Sequence, residues 1–186
     1  MNCNQCHAAK DFVRTVQLSI DDLVYAASMV KERENIFRRF SLEAMPVLRL
    51  GAELSRQLMR YSSYEPLLRF ARNAEKELEA QIRGLQHAEK YCSDSSASRD
   101  ETENYMISSG RICGRMVEDM RMTDISERLG CDYLRYMICL IEGAVRLSEN
   151  ALSYELCSAA VVPIRSISRN GREMLHNMRK LLAIID

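Results

Sequence analysis

Three residues near the start of the chain have the most recognisable spacing for chemistry. Cys3, Cys6 and His7 follow the Cys-x-x-Cys-His pattern that attaches haem in c-type cytochromes. Haem attachment requires export, and the first residues show no signal-peptide core, so we do not expect haem here. The same side chains could supply three of the four ligands of a structural zinc site, with the fourth from His87 or from a second chain. The alternative is a solvated tail over residues 1–8.

A second candidate set is rich in sulfur. Cys113, Met116 and Met120 fall on one face of a predicted helix, and thiolate and thioether ligands suit a soft ion such as Cu(I). Methionine and free cysteine are also adaptable core residues, and Met106 and Val117 share that face. Core packing is therefore the favoured interpretation, with copper or zinc binding as the alternative.

A third pair has the spacing of a di-iron bundle. Glu173 and His176 form a Glu-x-x-His, which such bundles use on two of their helices. The corresponding positions of the first half involve Lys76 and Glu79, so no second copy exists. Relative to Gly171, the pair lies at roughly 200° and 140° around the helix, away from the apolar face. We expect a surface pair.

Other signals of catalysis are missing from the sequence. The three histidines, His7, His87 and His176, are scattered along the chain. No Gly-x-x-x-x-Gly-Lys loop and no Gly-x-Gly-x-x-Gly turn is present to hold a nucleotide. We therefore expect a protein that is not an enzyme and that uses no resident cofactor.

Composition narrows the classes of partner. The 186 residues include 26 basic and 26 acidic side chains, for a formal net charge of zero, whereas a nucleic-acid surface needs a clustered basic excess. The longest apolar runs, 137–141 and 181–185, are far shorter than the roughly 20 residues of a membrane span. We expect neither nucleic acid nor membrane as a partner. We also expect a cytoplasmic location, where the seven cysteines are free thiols or ligands rather than bridges.

The elements that position these residues are predicted to be helices. Only three prolines and seven glycines occur, and apolar side chains repeat at helical spacing in six segments. A Ser- and Asp-rich linker at 93–100 separates a first three-helix repeat, 1–92, from a second, 101–186, and the two pack as one domain. The predicted fold class is all-α.

Local signals support these helices. Ser98 with Glu101, and Ser62 with Glu65, have the spacing of a capping box ahead of a helix. Three glycines fall inside predicted helices, where each costs about 1 kcal/mol relative to alanine. They are Gly51, Gly143 and Gly171. Close approach of two helices is the simplest reason for a glycine there.

The two halves of the sequence are similar to each other. A shift of 93 residues pairs Ser55 with Ser148, and a shift of 97 pairs Pro66 with Pro163. The difference falls in the turn between paired helices, where insertions are tolerated. A duplicated unit of this kind predicts a four-helix bundle made of two hairpins, each preceded by an extra helix.

At these hairpins the sequence resembles a ferritin-like family of bacterial proteins of unknown function with a Met-Ile-Pro-His-His signature. The resemblance covers roughly 36–88 and 131–183 and is best over 137–152. The two copies of the signature read Met45-Pro46-Val47-Leu48 and Met137-Ile138-Cys139-Leu140-Ile141. The resemblance implies a ferritin-like bundle, and in some family members the His-His pair is associated with copper or other transition metals.

This chain departs from the family at the histidines. Their positions are taken by Val47 and Leu48 in the first copy and by Leu140 and Ile141 in the second. An aliphatic side chain has no lone pair to give a metal. The scaffold of the family is therefore expected without its metal site.

These observations predict a non-enzymatic helical bundle that is a scaffold or protein-interaction module. Its expected partner is another protein or a second copy of itself, as in a homodimer. The alternative function is binding or sensing of a soft metal, copper or zinc, through Cys, His and Met ligands.

Overall fold

Six α-helices make up the part of the chain that the structure, a computed structural model, describes. That part comprises the backbone of residues 3–28, 35–92, 97–126 and 128–186, without the side chains of 3–9 and 25–28. The helices are α1 (Cys3–Ser28), α2 (Ile36–Tyr61), α3 (Glu65–Glu89), α4 (Arg99–Arg121), α5 (Leu129–Leu152) and α6 (Ser158–Ile185). These residues contain no strand, so the all-α prediction is confirmed. Within them, no helix is long and apolar enough to cross a membrane.

The predicted helix starts are correct in one case and wrong in the other. Ser98 accepts a hydrogen bond from the backbone N–H of Glu101, whose carboxylate accepts one from the Ser98 N–H, as in a capping box. Helix α3, by contrast, begins at Glu65 itself with Tyr64 as its N-cap. Ser62 lies two residues before that N-cap, and its hydroxyl accepts a hydrogen bond from the Tyr64 N–H at 3.3 Å. Residues 93–96 of the predicted linker lie outside the described part.

The helices pair as two hairpins. α2 packs against α3, α5 packs against α6, and the hairpins meet through α2–α5 and α3–α6 contacts. α1 contacts α2, α4 and α5, while α4 also packs against α5. Four helices therefore contact one another in a closed ring, and α1 and α4 lie together against the α2 and α5 side of it.

The four aliphatic side chains at the histidine positions of the family signature are buried. Val47, Leu48, Leu140 and Ile141 are each no more than 2% exposed. Elsewhere in the core, a 2.9 Å hydrogen bond joins the hydroxyls of Ser55 and Tyr133, which are both fully buried. The four positions at which the resembled family carries histidines are thus part of the hydrophobic core.

Close helix contacts explain the three predicted core glycines. A Cβ atom at Gly51 would lie 3.0 Å from Leu78 Cδ1, and one at Gly171 would lie 2.6 Å from Val145 Cγ2. At Gly143 the space is taken by the Met116 side chain, whose Cβ would be 3.2 Å from the added atom. Side chains of neighbouring helices therefore occupy the room that a larger residue would need.

The prediction that all cysteines are unbridged is wrong. Cys92, just after α3, forms a disulfide with Cys157, the N-cap of α6, and their Cα atoms are 5.9 Å apart. This separation lies in the usual range for a disulfide. The cysteines are 65 residues apart in sequence and come together only because α3 packs against α6.

Candidate functional site

A cavity of about 460 Å³ lies between α1, α2 and α4, outside the four-helix ring. Its wall is mainly hydrocarbon. The apolar lining residues are Leu23, Val24, Val47, Met106, Met116 and Val117. A concave, mostly apolar space of this size with a few polar groups is typical of small-molecule sites.

Glu43 of α2 is the one carboxylate among the lining residues that the structure describes. The hydroxyl of Tyr105 donates to its Oε2 at 2.9 Å, and that of Ser109 donates to its Oε1 at 2.9 Å. Both donors belong to α4 and are fully buried. Tyr105 is held in turn by an edge-to-face contact with Tyr154, with ring centroids 5.7 Å apart. The carboxylate therefore has a fixed position in the cavity wall.

Burial dominates the electrostatics of Glu43. Removal from water raises the pKa of its carboxyl group above the ordinary value of 4.5, because burial disfavours the charged form. The hydrogen bonds from Ser109 and Tyr105 and the positive charge of Arg39 act in the opposite direction without cancelling the effect of burial. The ionised form of Glu43 is therefore less stable here than in water.

Two arginines also line the cavity. Arg39, one turn before Glu43 on α2, is almost fully buried. Arg121, at the end of α4, is largely exposed and lies 3.5 Å from Asp21 of α1. The Arg121 charge thus faces solvent next to a carboxylate, at the side of the cavity.

Two glycines of α4 lie in the wall on its solvent-exposed side. Among the residues that the structure describes, no atom of a neighbouring element lies within 4 Å of a Cβ built at Gly110 or at Gly114. Each glycine inside a helix costs about 1 kcal/mol relative to alanine. In contrast to the core glycines, these two are exposed and face open space at the solvent side of the cavity.

The predicted sulfur set is brought together only in part. Cys113 and Met116 both line the cavity, whereas Met120 is buried in the hydrophobic core and does not line it. Desolvation, followed by the charge of Glu43, raises the pKa of the Cys113 thiol to about 12. At neutral pH the thiol is therefore protonated, whereas a metal ligand or a nucleophile must be a thiolate.

The other predicted sites are on the surface or outside the described side chains. Cys3, Cys6 and His7 fall on α1, but their side chains lie outside the described part. His87, the suggested fourth zinc ligand, is exposed and stacks at 5.0 Å on Tyr91. Glu173 and His176 are exposed, so the surface position predicted for them is confirmed.

Neither a metal cluster nor a relative points to a different site. Among the side chains that the structure describes, no group of three or more His, Cys, Asp or Glu could hold a metal ion. Compared with protein-family models, with curated proteins and with solved structures, the chain shows no significant similarity to any. The resemblance to a ferritin-like family therefore stays a prediction.

Sequence reasoning missed Glu43, Tyr105, Ser109 and Arg39. One signal was present: Glu43 interrupts the apolar face of α2 between Phe40 and Val47, which are both buried. Its donors come from α4, about sixty residues away, and the spacing of residues along the chain does not indicate that contact.

Proposed function

We propose that this chain is a non-enzymatic helical bundle that acts by binding, and that the cavity between α1, α2 and α4 is its site for a small organic ligand. One observation carries the proposal: a carboxylate, Glu43, is fixed by two buried donors in the wall of a mainly apolar space of about 460 Å³. Apolar cavities with few, well-placed polar groups are where ligands bind and are oriented.

The chemistry of the lining residues favours binding over catalysis. A cysteine nucleophile is activated by a lowered pKa or by an adjacent base. Burial raises the pKa of Cys113, and the described lining residues include no histidine to take its proton. Glu43 already accepts hydrogen bonds on both oxygens, from Tyr105 and Ser109, which positions it as a recognition group.

We also propose that the fold is a duplicated, ferritin-like bundle whose metal site has been lost. The equivalence of Ser55 and Ser148 supports the duplication. Both are fully buried, and each hydroxyl donates to the carbonyl four residues earlier, at 2.9 Å and 2.8 Å. Burial of Val47 and Leu140 in the hydrophobic core supports the loss of the metal site.

A protein partner or a second copy of the chain remains part of the proposal, as a scaffold would require. Light scattering after size-exclusion chromatography tests self-association, since a homodimer has twice the chain mass of 21.4 kDa. The cytoplasmic location expected from the sequence stays a proposal that the disulfide between Cys92 and Cys157 does not support, because a reducing compartment keeps such a pair as thiols.

Binding of an uncharged probe to a cavity-filled variant tests the ligand site. Phenylbutanol should bind to the wild type in isothermal titration calorimetry. Gly114→Leu should abolish that binding, because the new side chain fills space that is open at Gly114. Arg111→Leu is the matched control, since Arg111 is exposed on the same helix and does not line the cavity. Equal binding to wild type and Gly114→Leu would contradict the proposal.

A further inference from the structure

We infer that the ligand of this cavity is a small amphiphilic amine: a hydrocarbon body against the apolar wall and a protonated amino group on Glu43. The inference rests on the proposed function and adds the chemical class of the ligand. It follows from the free hydrogen-bond acceptor positions of the Glu43 carboxylate, from its charge and from the residues around it.

Glu43 has acceptor capacity left. An ionised carboxylate has about four lone-pair positions. Tyr105 and Ser109 use one position on each oxygen, both from the α4 side. Glu43 lines the cavity, and we infer that a donor of a bound ligand takes one of the remaining positions. An ammonium group has three donors and no acceptor, which matches a site of this kind.

The charge at Glu43 favours a cation. Its two direct partners, Tyr105 and Ser109, are neutral hydroxyls. Arg39 lowers the pKa of Glu43 less than either hydrogen bond does, and burial still raises it overall. A ligand ammonium in contact with the carboxylate would stabilise its ionised form, which burial disfavours. Hydrogen bonds between charged partners are also shorter and stronger than neutral ones.

The two arginines do not make the cavity an anion site. Arg121 is 57% exposed and lies beside Asp21, so its charge is screened by water and by that carboxylate. Arg39 is buried one turn from Glu43, and its charge already acts on that carboxylate. An anionic ligand would place a second negative charge next to Glu43, which is unfavourable because like charges repel.

The residues that line the cavity determine the shape of the hydrocarbon part of the ligand. Val47 of α2, Val117 of α4 and Leu23 of α1 line the cavity on three sides, while Gly110 and Gly114 leave α4 without side chains there. A flat or extended hydrocarbon group can therefore lie against the α4 backbone. Phenylbutylamine, with one ring and a short chain, has this shape.

Three probes with the same body test the inference. Phenylbutylamine, phenylbutanol and phenylbutyrate should be titrated calorimetrically at neutral pH. We expect the amine to bind at least about tenfold more tightly than the alcohol, the equivalent of 1.4 kcal/mol. Phenylbutyrate should be the weakest of the three. Glu43→Gln should remove the preference for the amine, and Glu103→Gln, an exposed carboxylate on α4, should leave it unchanged.

The outcomes separate the two proposals. If phenylbutyrate binds as tightly as the amine, or if Glu43→Gln keeps the preference, the ligand class is wrong while the cavity remains a binding site. If no probe binds to the wild type, or if all bind equally to Gly114→Leu, the proposed function itself is wrong. Should Glu43→Gln not fold, carbon-13 NMR of the Glu43 carboxyl in the wild type replaces it. The amine should lower the pKa of Glu43, and an unchanged pKa in the bound protein would overturn the inference.

Discussion

The hydroxyl of Tyr105 on α4 donates a 2.9 Å hydrogen bond to the carboxylate of Glu43 on α2. The two residues are 62 positions apart in sequence. Because Tyr105 is fully buried and makes an edge-to-face contact with Tyr154, this bond connects the cavity wall to the rest of the bundle. The cavity therefore has a rigid polar side at Glu43 and an open side at Gly110 and Gly114.

The stability of the protein should depend on pH through Glu43. Its pKa in the folded state is raised above 4.5, so the folded chain binds more protons than the unfolded chain above that pH. The contribution to stability is fully present below about pH 4.5 and is lost as the pH rises through the folded-state pKa. The free energy of unfolding of wild type relative to Glu43→Gln should therefore fall between acidic and neutral pH.

Urea unfolding of both proteins across this pH range measures the effect. Glu103→Gln serves as the control, because it removes an exposed carboxylate of α4 that does not line the cavity. A wild-type stability that rises relative to Glu43→Gln with increasing pH would have the wrong sign.

Glycine substitutions should have opposite effects in the core and in the cavity. Gly143→Ala places a methyl group against Met116 and should cost about 1–3 kcal/mol by overpacking. Gly114→Ala meets no neighbouring element within 4 Å among the described residues and should stabilise the helix by about 0.5–1 kcal/mol. Gly51→Leu should lower the melting temperature, because Leu78 occupies the space it needs. Thermal melts measure the stability of the three variants relative to the wild type. A destabilised Gly114→Ala would show that the cavity is not open there.

Reduction of the disulfide should destabilise the protein. Cys92 and Cys157 are 65 residues apart, and closing a loop of that length is worth up to about 4 kcal/mol in the chain-entropy model. Urea unfolding with and without reductant should show a lower midpoint when reduced. The Cys92→Ala/Cys157→Ala double variant is the control and should not respond to reductant. If wild type were equally insensitive, the bond would not contribute to stability.

Metal content distinguishes the binding function proposed here from a soft-metal function. We expect protein purified without chelators to contain no stoichiometric copper or zinc by elemental analysis. If either metal is found, the metal content of two variants locates it: the double variant Cys3→Ser/Cys6→Ser and the single variant Cys113→Ser. Loss of metal in the first variant would assign it to the N-terminal residues, and loss in the second would assign it to the cavity; either result would overturn the metal-free part of the proposal.

The sequence predicted the helices better than their contacts. The spacing of apolar residues predicts six helical segments, and the Ser-x-x-Glu pattern predicts the cap at Ser98. A glycine inside a helix predicts a close contact with a neighbouring helix, as found at Gly51, Gly143 and Gly171. The start of α3 was placed wrongly because Ser62 and Glu65 satisfy the capping pattern while the chain enters the helix only at Glu65.

The cavity and the disulfide could not be predicted in the same way. Both depend on which helices meet, α2 with α4 in one case and α3 with α6 in the other. Gly110 and Gly114 have the same residue type as Gly143, yet the first two face empty space and the third faces Met116. Only the packing of the helices distinguishes a glycine that opens a cavity from one that permits contact.

A crystal structure of the protein with phenylbutylamine tests the central claim most directly. The account predicts electron density for the probe between α1, α2 and α4, with its nitrogen within hydrogen-bond distance of Glu43 and its ring near Gly114. Density for the probe only elsewhere on the protein, or a space between Val47 and Gly114 closed by side chains, would contradict it.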